Sequence, residues 1–243
     1  MKKIIKISFL VLFVILACKK EKSDNPTNGK NTAAFNPNVS YGTLTDQDGN
    51  IYKTVTIGTQ TWMAENLRTT KYRDGSDIPI ITDNTDWNGL TTGAYCNYNN
   101  TTNADTIATF GRLYNWYAVN DSRKIAPAGW HVPTDADWTT LTTYLGGDAV
   151  AGGKTKESGT THWTSPNKGA TNESGFTCLP SGSRCNSVGM FDNLGYYGYY
   201  WSSTPYQYDA NSALERGLAY SDSGYLWSIS SVTCGVAVRL VKD

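Results

Sequence analysis

Apolar and polar positions divide this chain into stretches of different period. Lys2, Lys3 and Lys6 precede an apolar run from Ile7 to Ala17, broken only by Ser8, and Cys18 follows at once. The run is shorter than the roughly 20 residues that cross a bilayer. A basic start, a short apolar segment and a small residue before a cut describe a secretory signal over residues 1–17. A cysteine directly after Ala17 makes it a lipobox, with Cys18 as the diacylated first residue of the mature chain. From Lys19 to Ser40 the periodicity vanishes into Lys, Glu, Ser, Asn, Gly, Thr and Pro. Such a segment buries too little apolar area to offset its ordering entropy. Residues 18–40 are therefore expected to form a flexible tether, and residues 41–243 the folded domain.

Within the domain, alternation comes first. Ile51 to Ile57 is β-branched and period-two, and the turn cluster Asp46–Asn50 before it predicts a hairpin. Those acidic residues lack the spacing and closing Glu of an EF-hand loop, so they read as a turn. Helical spacing then appears twice. Leu113, Trp116, Tyr117 and Asn120 share one face. Thr134 and Asp137 form a capping box ahead of Trp138, Leu141, Thr142 and Leu145, and Gly146-Gly147 stops that helix. Beyond Gly175 the pattern is strand, turn, strand, with Tyr199–Ser203, Ala213–Ala219, Tyr225–Ser230 and Thr233–Val241 as candidates. Two helices early and antiparallel strands late predict an α+β domain.

Charge narrows the partners. The full chain has 21 basic and 21 acidic residues; without residues 1–17 the counts are 18 and 21, a net charge of −3. A mildly acidic chain lacks the dense Lys/Arg footprint that nucleic acid requires. The cysteines fit export. Besides Cys18 there are Cys96, Cys178, Cys185 and Cys234, and an even number in an exported chain points to disulfides, with three pairings possible. Pro180 and Gly182 can turn the chain between Cys178 and Cys185, which favours that bridge together with Cys96–Cys234; buried free thiols are the alternative.

Catalytic signatures are sparse. His131 and His162 stand 31 residues apart, no His/Cys pair has metal-ligand spacing, and no Gly-x-Ser-x-Gly is present. Asp135 and Asp137 are explained by the helix start, leaving Glu157 as a further acid. The reading is of a protein that is not an enzyme and needs no cofactor or metal. Aromatic residues, in contrast, cluster. Asn193 to Trp201 contains Tyr196, Tyr197, Tyr199, Tyr200 and Trp201 among glycines, and Tyr206, Tyr208, Tyr220, Tyr225 and Trp227 follow. Tyr and Trp among Ser, Asn and Gly make adaptable contact surfaces, and their ring faces suit sugars. Tyr196, Tyr197, Tyr206, Tyr208, Tyr225 and Trp227 are therefore candidate ligand contacts, with Tyr200 and Trp201 read as strand core. The four most turn-rich of these, Tyr196, Tyr197, Tyr206 and Tyr208, are expected to lie exposed and close together.

Several blocks resemble a known family. Tyr52–Leu67, Gly111–Val119, Ala126–Asp135, Gly169–Phe176, Tyr200–Thr204 and Val238-Arg239 are similar, in order, to the Fibrobacter succinogenes major paralogous domain. The resemblance implies an exported lipoprotein or surface protein of the kind found in Bacteroidetes, at the outer membrane or cell surface. The chain departs from the family pattern at Leu240, where Cys often follows the Arg, and at Cys178, where a small apolar residue is common. Gly129–Trp138 is similar to a segment of formylglycine-generating-enzyme-like proteins, which implies a C-type-lectin-like fold with two helices and short antiparallel strands. Those enzymes use a closely spaced cysteine pair, and Cys234 has no near partner. Calcium-dependent lectins of that fold carry Glu-Pro-Asn or Gln-Pro-Asp; here Ser165-Pro166-Asn167 is the nearest match and lacks the carboxylate. The expected function is non-catalytic binding of a glycan or protein. A structural or assembly subunit is the alternative, and an unrecognised hydrolase or oxidase the third reading.

Overall fold

The computed structural model describes residues 29–185 and 189–243. Cys18 and the expected signal segment lie outside the described residues. Strands β1 (Gly42–Thr45), β2 (Ile51–Ile57) and β3 (Gln60–Met63) open the fold as a meander. The Asp46 carboxylate closes its first turn, accepting from the Asp48 and Asn50 amides at 2.9 Å each and from the Tyr52 hydroxyl at 2.5 Å. The stretch is a turn, as the sequence pattern predicts, with Asp46 satisfied by near neighbours and Asp48 accepting from the Thr69 and Thr70 hydroxyls at 3.1 and 3.0 Å. A loop-rich stretch follows with helix α1 (Asn84–Asn88), strand β4 (Tyr95–Cys96), helix α2 (Ala104–Phe110), strand β5 (Leu113–Tyr114) and helix α3 (Trp116–Val119). Then come β6 (Trp130–His131), α4 (Asp135–Tyr144) and α5 (Asp148–Thr155). The last third carries β7 (Ser181–Arg184), β8 (Phe191–Leu194), β9 (Tyr197–Pro205), β10 (Ser212–Ala219), β11 (Tyr225–Ser231) and β12 (Val241–Lys242).

These strands form two larger sheets. One has the order β1-β2-β3-β12-β6, so the C-terminal strand pairs with the meander through Val241 and Trp62. The other runs β11-β10-β9-β7-β8, antiparallel except where β7 meets β9 at Gly182 and Gly198. Gly182 has φ 62°, and a Cβ there would collide with the Asp192 carbonyl oxygen, so only glycine lets β7 and β8 approach. The fold is β-rich α+β, with five helices among the described residues in place of the two expected.

The elements differ from the sequence pattern for identifiable reasons. Helix α4 has its capping box, with the Thr134 hydroxyl and the Asp137 carboxylate each bonding the other's amide. The helix expected from Leu113 to Asn120 shrinks to one turn. Asn115 caps that turn, and the Tyr114 amide donates to Val236 O at 2.9 Å as part of a strand. Helix α5 contains Gly152 and Gly153, poor helix formers by propensity, because the backbones of Gly224 and Gly169 press against them. The expected strand from Thr233 to Val241 is mostly a wedge. It makes single bridges, Val236 to Tyr114 and Ala237 to Tyr200, and becomes a strand only at Val241–Lys242.

Two large aromatic-rich clusters fill the interior, one with Tyr52, Tyr114, Trp116 and Trp201, the other with Trp62, Trp138, Phe176 and Tyr200, and a smaller third gathers Trp87, Ala94, Cys96 and Leu113. Arg239, fully buried, donates to Asn66 Oδ1 at 2.6 Å, Met63 O at 2.9 Å, and Phe176 O and Thr177 O at 2.8 Å. Its guanidinium therefore ties the first sheet to the loop before β7.

Two expectations are corrected. The tether of residues 18–40 is not free along its described part. The Lys30 amide donates to Asp105, Thr32 bonds Thr109, the Ala34 amide donates to buried Glu157 at 2.6 Å, and Phe35 and Val39 pack on the core. The disulfide joins Cys185 to Cys234, not Cys178 to Cys185, while Cys96 and Cys178 are buried free thiols. Register decides this pairing. Arg184 and Gly235 exchange both backbone hydrogen bonds, which leaves Cys185 and Cys234 as the adjacent non-hydrogen-bonded pair, 4.3 Å apart at Cα. Cys178 instead lies in the aromatic core against Tyr225, where burial pushes its thiol up; burial pushes Cys96 up to about 12.

Candidate binding site

The loop between β9 and β10 is stiffened by its own bonds. The Tyr206 amide donates to Ser212 O at 3.1 Å, the Asn211 amide to Asp209 Oδ1 at 3.0 Å, and the Ser212 hydroxyl to Asp209 Oδ2 at 2.7 Å. The amide of Asn211 and the hydroxyl of Ser212 hold the Asp209 carboxyl below its ordinary range. On this frame Tyr206 and Tyr208 meet edge to face, centroids 5.4 Å apart, and Tyr208 is 78 % exposed.

Strand β11 supplies the facing ring. Trp227 pairs with Arg216 of β10, lies 52 % exposed, and donates its indole N–H to Asp135 Oδ1 at 3.3 Å. The same Asp135 oxygen accepts from Arg216 Nη2 at 2.6 Å, and the Asp135 amide donates to the Thr204 hydroxyl at 3.0 Å. Asp135 therefore does more than begin α4; it fixes the tryptophan and the end of β9 together. Thr204, Tyr206, Gln207, Tyr208, Leu214 and Trp227 surround a cleft of about 300 Å³. Its lining combines buried Leu214 with the polar side chains of Gln207 and Thr204.

The other candidates lie elsewhere. Tyr196 is exposed but packs edge-on against Tyr220, and Tyr197 stacks on Tyr199 with planes 3° apart. Tyr197 faces Ala219 and Pro205 faces Ala213 along β10. The two tyrosine pairs thus stand at opposite ends of β9, about 25 Å apart at a strand's rise per residue. They do not form the single patch expected. Tyr225 is buried in the core beside Trp138 and Cys178, so it is not a surface contact. Leu214 and Thr204 were not singled out in the sequence. Leu214 alternates with Arg216 and Leu218, a period-two signal that places it on the same face as Trp227.

Both histidines are held by carboxylates. His131 Nδ1 is 2.7 Å from Asp243 and its Nε2 3.2 Å from Asp137, while His162 Nδ1 is 2.8 Å from Glu157. Burial pushes the Asp137 carboxyl up, but bonds from Thr134 and His131 outweigh it and bring its pKa below the ordinary value. Asn167, of the Ser-Pro-Asn segment, donates its amide to Glu157 O and Gly159 O, which makes it a loop brace. Among the described residues no three His, Cys, Asp or Glu side chains gather in a metal-sized group. Among the same residues no helix is long and apolar enough to cross a membrane.

Residues 55–242 match the family model described as the Fibrobacter succinogenes major domain. No curated protein matches the chain. No solved structure matches it either.

Proposed function

We propose that this chain, which belongs to the Fibrobacter succinogenes major domain family, is a lipid-anchored surface protein that binds glycans at the Tyr206–Tyr208–Trp227 cleft without catalysis. The observation that carries the reading is two exposed rings, Tyr208 and Trp227, with half-buried Tyr206 around one preorganised cleft. Sugar rings present flat C–H faces to aromatic groups and hydroxyls to side chains such as Gln207 and Thr204. A cleft of about 300 Å³ sits at the small end of ligand pockets, the scale of one or two sugar units. A protein partner would need roughly 800 Å² of contact on each side. The finer assignment of the fold as C-type-lectin-like rests on the resemblance of Gly129–Trp138 and suits a domain that varies its loops around a fixed frame.

The test is a glycan and protein array probed with the chain from residue 18 carrying Cys18→Ser. Wild-type cleft residues should give glycan signals that Trp227→Ala and Tyr208→Ala each reduce at least tenfold. Such a loss is on the order of the 2 kcal/mol that an anchoring aromatic is worth. Signals confined to proteins, or unchanged in both variants, would sink the glycan reading. A second reading has its own observation. Strand β11 is the outer strand of its sheet and exposes Leu226, Trp227 and Ile229, which favours a subunit-assembly surface. Concentration-dependent association in sedimentation, abolished by Ile229→Lys, would support assembly instead. The anchor is tested separately: Cys18→Ser in the intact precursor should leave the protein unlabelled by palmitate and lost from membranes after a high-salt wash.

A further inference from the structure

On the opposite face of β10 from the aromatic cleft lies a second concavity, about 260 Å³ in volume. Glu215 of β10 forms its floor. Asp192 of β8, Tyr199 of β9, Ser183 of β7, and Ser228 and Ser230 of β11 complete it. Register explains the convergence: Glu215 lies opposite Ser228, and Ala213 opposite Ser230, so period-two alternation aims these side chains to one side. Glu215 is only 3 % exposed, yet its Oε2 finds no hydrogen-bond partner. Buried carboxylate oxygens are ordinarily satisfied, and an unmet one calls for an explanation.

No cationic side chain answers it. Arg184, the nearest arginine along β7, directs its guanidinium away, to Gly189 O, Ile81 O, Thr82 O and Asp83 O. The titratable groups that face the space are Asp192, which accepts from the Ser183 hydroxyl at 2.5 Å, and Tyr199. Tyr197 stacks behind Tyr199. Cys185 at the edge is held in the disulfide and does not titrate. The lining therefore offers two carboxylates and several hydroxyls, with every formal charge negative.

We propose that this concavity is a second ligand site that takes a primary ammonium group, with Glu215 and Asp192 as its counter-ions and the serine hydroxyls as its orienting acceptors. The space is too large for a bare ion, whose own volume is below the roughly 30 Å³ share of one water. An ammonium on a short carbon chain fills it better: three N–H donors meet the unpartnered Oε2, Asp192 and a hydroxyl, and the chain lies against Tyr199 and Val236. The site is independent of the glycan reading, because it opens on the other face of the sheet.

Burial pushes the Glu215 carboxyl up to about 7, with the Ser230 and Ser228 hydroxyls pulling the other way. Burial, and then the negative charge of Glu215, pushes Tyr199 up to about 12, so that hydroxyl stays protonated. A bound cation favours ionised Glu215, so binding should release protons near neutrality. Only the ionised fraction binds, which makes affinity about tenfold higher at pH 8 than at pH 6.

The experiment is calorimetric titration of the chain from residue 18 carrying Cys18→Ser, with butylamine, Nα-acetyl-lysine amide, butan-1-ol and calcium chloride as probes. Runs at pH 7 in two buffers of different ionisation enthalpy count the protons. The expected result is saturable ammonium binding with release of up to about half a proton, stronger at pH 8, absent with butanol, and weakened at least tenfold by Glu215→Gln and by Asp192→Asn. Tighter binding of the lysine amide would assign a peptide-borne ammonium, and tighter binding of butylamine a free amine; either supports the site. Equal binding of butanol, amine binding unchanged in Asp192→Asn, or calcium bound in place of amines would overturn it. Asp192 is at the rim and bears on the proposal even if Glu215→Gln fails to fold. The proton count needs no variant at all.

Discussion

Arg239 and Glu215 are both buried ionisable side chains, and the fold treats them in opposite ways. The Arg239 guanidinium meets four acceptors on two separate chain segments, so its planar fork is matched. Lysine offers a point charge that cannot reach both segments, and each hydrogen bond to a charged group is worth about 1.5–3 kcal/mol. Arg239→Lys should therefore destabilise the domain by about 3 kcal/mol or more in urea denaturation. A loss below about 1 kcal/mol would mean that the clamp is not structural. Glu215, with one oxygen unmet, holds its proton up to about pH 7 in the fold against an ordinary value of 4.5. Between those two values the folded chain binds more protons than the unfolded one, so this group makes stability fall as pH rises from 4.5 to 7 and adds nothing further above. The difference is worth about 3 kcal/mol. Glu215→Gln should thus gain stability relative to wild type at pH 8 but not at pH 4. Equal effects of the substitution at both pH values would contradict the burial of an uncompensated carboxyl.

Elements were legible where local chemistry decides them. The Asp46–Asn50 turn, strand β2 and the capping box of α4 all depend on residues within a few positions, and all are present. The elements set by distant neighbours were not. Helix α5 needs the loop backbones of Gly169 and Gly224 to accept its glycines, and residues 233–240 become a wedge because Tyr114 and Tyr200 lie on either side. The cysteine pairing fails for the same reason: Cys178 and Cys185 are close in sequence, but only the register of Arg184 with Gly235 decides which sulfur meets Cys234. Non-reducing peptide mapping should find Cys185 joined to Cys234, with Cys96 and Cys178 alkylated only after unfolding. Replacing Cys185 and Cys234 together by Ser should cost up to about 4 kcal/mol, the chain-entropy estimate for a loop of this separation, 49 residues. Recovery of a Cys178–Cys185 peptide from folded protein would refute the pairing.

Across the whole molecule, the motifs that carry the family resemblance turn inward. Trp62, Asn66, Phe176 and Arg239 form one buried knot, and Trp116 and Trp201 donate their indoles to Ser202 O and Tyr114 O. They specify a frame, and the strand block of the resemblance, Tyr200–Thr204, ends at Thr204, where the cleft begins. That is why the frame could be read from sequence while the ligand could not. The aromatic run was visible, but the length of β9, which separates Tyr196 and Tyr197 from Tyr206 and Tyr208, was not. The domain also extends further toward the N-terminus than its polar composition suggests. Glu157 is fully buried and takes a bond from the Ala34 amide, and Phe35 and Val39 cover the second cluster. A chain beginning at Tyr41 should therefore be less stable than one beginning at Gly29 by about 2 kcal/mol or more, from a lost bond to a buried charge and newly exposed apolar surface. Identical thermal midpoints would show that residues 29–40 are a tether after all.

Amide-shift mapping by NMR, with the strongest glycan from the array added to the labelled chain, tests the binding reading most directly. The expected shifts centre on residues 204–208, Leu214 and the Trp227 indole, with Tyr196, Tyr220 and the Glu215 face unmoved. Shifts centred on Tyr196 and Tyr220, or none at saturating glycan, would contradict the assignment of the cleft as the binding site.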